Sequence, residues 1–153
     1  LHYCNIIITE ININCHFTNK ASYSKITVME ITIRNRIVID GQEEFIRETF
    51  EGDVKKLGNK IALYYKNAEE EKVLIKFDDK ELSMTRYADK PVVMRFHKEL
   101  PTHTLYEGLG RLEILTDGFH MNEELKHVKL KYRLAQNDIP IGEYRMRIDW
   151  KLS

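Results

Sequence analysis

Between Tyr144 and Leu152 every second residue is apolar (Tyr144, Met146, Ile148, Trp150, Leu152) and every residue between them is charged (Arg145, Arg147, Asp149, Lys151). A period of two puts alternate side chains on opposite faces of an extended chain, one face buried and one wet. The pattern recurs in short segments from Met29 onward: Ile31, Ile33, Ile37 and Ile39 share a face whose opposite carries Arg34 and Arg36. Further segments fall at 43–51, ending at Gly52, and at 53–57, 60–66, 73–77, 82–86, 92–96, 102–107 and 111–116. A loop or single helical turn is expected at 117–124, then strands at 125–135 and 142–152 joined by a polar loop at 136–141. Connections such as Asp40-Gly41 and Gly58-Asn59 are hairpin turns, too short for the crossovers that parallel neighbours need. Strands this short must close on one another, which also removes exposed sheet edges. The sequence therefore predicts an all-β, antiparallel up-and-down (meander) barrel of eight to ten strands.

Composition narrows the functional classes. The chain of 153 residues fits one domain, and 42% apolar residues are too many for disorder. Lys plus Arg (24) balances Asp plus Glu (24) with the signs interspersed, so no whole-protein field for nucleic acid or anionic membrane is expected. No apolar run approaches the ~20 residues of a membrane-spanning helix. Cys4 and Cys15 are read as reduced thiols of a cytoplasmic protein, with a small-loop disulfide as the alternative.

Residues 1–28 differ in character from the rest, with six Ile, four Asn and only Glu10, Lys20 and Lys25 charged. The expectation is an N-terminal extension translated from upstream of a native start at Met29. The alternative is a genuine β-segment over 5–14 that adds to the barrel edge. Residues 29–153 form the single barrel domain.

Several segments together carry a resemblance: 59–65 (Asn-Lys-Ile-Ala-Leu-Tyr-Tyr), 82–87 (Leu-Ser-Met-Thr-Arg-Tyr), 93–96 (Val-Met-Arg-Phe) and 104–112 (Thr-Leu-Tyr-Glu-Gly-Leu-Gly-Arg-Leu). Their order and spacing resemble the YwiB-like family, small bacterial proteins with a domain of unknown function. The resemblance covers 29–152 and implies a calycin-like, lipocalin-like barrel and a cytoplasmic location. It implies no activity, cofactor or established site. Members often carry Gly after the Met-x-Arg segment and Thr-Pro before the Gly turn; here Tyr87-Ala88 and Glu107-Gly108 stand there.

The inward stripe read from alternation comprises Leu63, Tyr65, Ile75, Phe77, Met84, Met94, Phe96, Leu112, Ile114, Leu130, Tyr132, Met146, Ile148 and Trp150. Met and aromatic side chains at that density either fill a core or line a pocket for an apolar ligand. Arg86 shares a face with Leu82 and Met84, so its guanidinium points inward. There it needs a partner such as a ligand carboxylate or phosphate; the alternative is that Arg86, at the strand end, reaches the rim and pairs with an acid such as Asp89. Tyr65, Tyr106 and Tyr132 can add hydroxyls, making the candidate ligand site Tyr65, Met84, Arg86, Met94, Phe96, Tyr106, Tyr132 and Trp150.

His97, His103, His120 and His127 lack metal-ligand spacing, and no serine lies in a nucleophile setting. Gly108-Leu109-Gly110 reads as a turn or bulge. Neither metal, cofactor nor enzymatic activity is expected. Basic residues recur on outer faces: Arg34 and Arg36, then Lys129, Lys131 and Arg133, then Arg145, Arg147 and Lys151. They would merge into one strip if first and last strands pair, without interleaved exposed aromatics. The leading expectation is non-enzymatic binding of a small apolar or amphipathic ligand in the barrel. The alternative is an interaction module that binds RNA or an acidic protein through the basic outer face. Nucleic acid is the less favoured partner, no membrane association is expected, and the oligomeric state stays open.

Overall fold

The computed structural model describes residues 28–153; the expectations for Cys4, Cys15 and the N-terminal extension lie outside the described residues. Ten strands follow in order: β1 (Met29–Ile39), β2 (Gln42–Leu57), β3 (Lys60–Lys66), β4 (Lys72–Phe77), β5 (Glu81–Arg86), β6 (Val92–His97), β7 (Thr102–Tyr106), β8 (Gly110–Asn122), β9 (His127–Gln136) and β10 (Ile139–Leu152). The described residues contain no helix, and therefore none long and apolar enough to cross a membrane.

All ladders are antiparallel, in the order β6-β5-β4-β3-β2-β1-β10-β9-β8-β7. The first and last strands pair along their length, from Met29 opposite Leu152 to Val38 opposite Glu143. The ends of the sheet are β6 and β7, which are consecutive in the chain and close the barrel without a backbone ladder. Threonine hydroxyls substitute: Thr104 Oγ1 donates to the Val93 carbonyl at 2.8 Å, and Thr102 Oγ1 donates to that of Arg95. At the end of β6, His97 Nδ1 accepts the N–H groups of the loop residues Glu99 and Leu100, each at 3.1 Å. His97 thus serves as a loop cap.

Three sequence expectations are corrected. Gly52 does not end a strand: β2 runs through it, pairing with β1 up to Gly52 and with β3 from Gly52 onward. A Cβ at Gly52 would run into the Tyr64 carbonyl and lie 2.8 Å from Ile31 Cδ1, so the glycine permits close approach at the bend. The expected loop at 117–124 is largely strand. A bulge between Thr116 and Gly118 absorbs one residue, Asp117, whose carboxylate takes two bonds from Arg133 at 2.8 and 2.9 Å. The expected polar loop at 136–141 shrinks to the turn Asn137-Asp138, both at positive φ (49° and 64°), the geometry that matches strand twist in a two-residue hairpin.

Inside, Ile31, Leu63, Ile75, Phe77, Leu82 and Phe96 are fully buried, as are Leu112, Ile114, Tyr144 and Ile148. Each contributes about 1.5–3 kcal/mol by leaving water. Every residue of the inward stripe is buried except Met84, which is half-buried. Phe77 packs on Trp150 with ring centroids 5.3 Å apart. Tyr132 bridges Phe96 (4.6 Å) and Tyr144 (4.9 Å).

Candidate functional site

The interior is not uniformly apolar. On β1 the inward position after Ile31 and Ile33 is Asn35; on β2 the inward positions Phe50 and Ile46 are separated by Glu48. Among the described residues the β2 segment before Gly52 has no partner beyond β1, because β3 pairs only from Gly52 onward. That geometry leaves Glu48 half-buried between the barrel interior and water.

Around these polar residues lies a cavity of about 60 Å³. Its apolar wall includes Met84, Met94, Phe96, Met146 and Tyr132, and its polar side is Asn35, Glu48, Tyr65 and Asn67. The half-buried lining residues Glu48, Phe50, Asn67 and Met84 mark where it meets solvent. Pockets for drug-sized ligands run to about 300–1,000 Å³, so this interior is mostly filled and admits a small group or the end of a longer one.

One of these polar groups is a hydrogen-bond acceptor short of a donor among the described residues. Asn35 is 7% exposed, and its Oδ1 accepts no bond among the described residues. Desolvation raises the Glu48 carboxyl above its ordinary range. Burial, and next the charge of Glu48, push the Tyr65 hydroxyl upward, while its ring stacks on Phe50 at 4.6 Å.

Beside the cavity, the turn from β3 to β4 is tied by Asn67. Its Oδ1 accepts the N–H groups of Glu69 and Glu71, each at 3.0 Å, and its Nδ2 donates to Glu71 Oε1 at 3.1 Å. Glu71 is 3% exposed. Burial first, then the neighbouring carboxyl of Glu69, hold its carboxyl up at about 7, against the pull of Asn67 and Arg86.

Five of the eight sequence-predicted site residues come together on the cavity wall: Tyr65, Met84, Met94, Phe96 and Tyr132. The other three stand off it. Arg86 is inward and buried, opposite Val73, and the acid whose charge acts on it is Glu71. Tyr106 is half-buried at the end of β7, and Trp150 packs on Phe77. The sequence reading missed Asn35, Glu48, Asn67 and Glu71. Asn35 was findable: it is the polar member of an otherwise isoleucine stripe, Ile31, Ile33, Ile37 and Ile39. Among the described residues no three His, Cys, Asp or Glu side chains gather as a metal site would require.

Over residues 31–148 the sequence matches the family described as Domain of unknown function (DUF1934). The chain belongs to this family. The matched span runs from β1 into β10 and holds every cavity residue named above. No curated protein matches the chain. Among solved structures it is similar to the crystal structure of ywiB protein from Bacillus subtilis, with a TM-score of 0.70. That likeness covers 83% of this chain and 92% of the other at 20% identity, and it establishes a shared fold. The YwiB-like resemblance read in the sequence is thus shown.

Proposed function

We propose that this DUF1934 barrel is a cytoplasmic, non-catalytic binding protein for a small amphipathic molecule whose head donates hydrogen bonds. The apolar part lies against Met84, Met94, Phe96 and Met146, and the head meets Asn35 and Glu48. The observation that carries this reading is the buried Oδ1 of Asn35, unpaired among the described residues, on a residue that lines a cavity edged by a carboxylate. An unsatisfied buried acceptor costs about 1–3 kcal/mol, and a donor from outside the chain removes that penalty. Glu48 biases the choice toward an amine or ammonium head and against a carboxylate. A cytoplasmic setting follows the family resemblance.

Calorimetric titration with octylamine and with octanoate tests the reading. Octylamine is expected to bind and octanoate of the same length is not, and Glu48→Gln should erase that preference. Equal binding of both amphiphiles, or of neither, would overturn it.

A further inference from the structure

The pairing of β1 with β10 brings the basic residues of four strands into one band on the outside of the barrel. In register, Arg47, Arg34, Arg147 and Lys129 form one row across β2, β1, β10 and β9, ending at His120 on β8. The next row is Phe45, Arg36, Arg145 and Lys131, ending at Gly118. Neither row contains a carboxylate. Acids stand at the margins: Asp149 holds Arg34 and Arg147 at 2.8 Å, Glu43 holds Arg36 at 2.7 Å, and the charges of Arg145 and Lys131 act on Glu43 and Asp117. Arg47, Lys129, Lys131 and Arg145 have no carboxylate within 4 Å among the described residues.

This arrangement works against the fold. Like charges directly opposite on neighbouring strands are destabilising. Here Arg34 faces both Arg47 and Arg147, Arg147 faces Lys129, and Arg145 faces both Arg36 and Lys131. Two further features give the band the shape of a site. Gly118 leaves a groove of about 300 Å³ bordered by His120, Lys129, Lys131, Arg145 and Arg147. At the other end Phe45 is 73% exposed, the aromatic that sequence reading did not place beside the strip. At the usual spacing between strands the five-strand row spans about 19 Å.

We infer that this band binds single-stranded RNA, its phosphates along the two cationic rows and a base stacked on Phe45. A carboxylate-free, multi-strand row of Arg and Lys fits a continuous polyanion. An exposed aromatic at its end favours a single strand, whose bases offer free faces that a duplex keeps stacked. The inference is independent of the interior ligand, since the band and the cavity lie on opposite faces of the sheet.

Fluorescence anisotropy of the full chain with a labelled mixed-sequence RNA oligonucleotide, repeated over a range of salt, tests it. Binding should weaken linearly in log–log form. The combined Lys131→Gln and Arg145→Gln variant should bind at least ten-fold more weakly, with a salt slope shallower by about 1.4, twice the ~0.7 per phosphate of single strands. Its melting temperature should not fall, because repulsion is relieved. Phe45→Ala should weaken binding about ten-fold and leave the slope unchanged. No binding at low salt would overturn the inference, as would an equal loss from Lys56→Gln with Lys90→Gln, cations off the band. Displacement of the RNA by polyglutamate at matched charge would assign the band to an acidic polypeptide and overturn it too.

Discussion

Along β4 the barrel interior changes character within a few residues. Phe77, at one end, is fully buried, packs on Trp150 and has apolar cross-strand neighbours in Ile61 and Leu82. Val73, at the other end, pairs with Tyr65 and Arg86 and faces the cavity of Asn35, Glu48 and Asn67. Both ends use the same strands and the same alternation. They differ in what remains to be satisfied: the Phe77 end is complete in itself, whereas the Val73 end carries a buried acceptor without a donor and a carboxyl held near neutrality. One end holds the fold, and the other gives up stability where a ligand could restore it.

Substitutions can break this contrast. The largest effect is expected from Phe77→Ala, which removes a fully buried ring from the complete end. Urea unfolding should show a loss of about 3–5 kcal/mol with no change in octylamine affinity beyond the loss of folded protein. At the incomplete end the leading effect is one of pH. Glu71 binds its proton more tightly folded than unfolded, from 4.5 up to about 7. Its stabilisation is therefore full below pH 4.5 and is lost as pH rises through 7, a decline on the order of 2 kcal/mol. The carboxylates held low by ion pairs, such as Asp117 and Asp149, act below that window. Chemical denaturation from pH 4.5 to 8 should show the decline in the parent and lose it in Glu71→Gln, the opposed contributions of Glu48, held high by desolvation, and His127, held low by burial, remaining in both; parallel profiles would remove Glu71 from this role. The smallest effect has the opposite sign. Asn35→Leu discards an unpaired acceptor, so stability should rise by about 1 kcal/mol while octylamine binding weakens. A loss of stability would mean that Asn35 is satisfied in solution.

What could be read from the sequence follows the same division. Wherever one face of a strand is wholly apolar, as at Tyr144–Leu152, alternation was enough to read strand and face together, because a one-residue slip would turn the entire stripe to water. Strand breaks were less legible. Gly52 looks like an end because glycine usually punctuates, yet its role depends on the closeness of Tyr64 and Ile31, which belong to other strands. The bulge at Asp117 disguised a strand as a loop by shifting the period by one. The apolar wall of the cavity was legible as a stripe of Met and aromatic residues. Its polar side was not: Glu48 stands in a charged run, and it is the register opposite Ile33, between inward Ile46 and Phe50, that shows its face is inward. Arg86 drew attention as an inward cation, but the acid acting on it, Glu71, sits across a hairpin that local sequence does not connect.

The threonine-bridged seam between β6 and β7 has a consequence for chain connectivity. Ser153 N donates to the Val28 carbonyl at 3.2 Å, so residues 28 and 153 lie side by side, while the least tightly bonded strand neighbours are joined by the short link at 98–101. The barrel thus has a full backbone ladder between its first and last strands and none between two strands that a short link joins directly. A circular permutant that links 153 to 28 and begins after 98 would keep every backbone ladder, with the new termini lying at the seam.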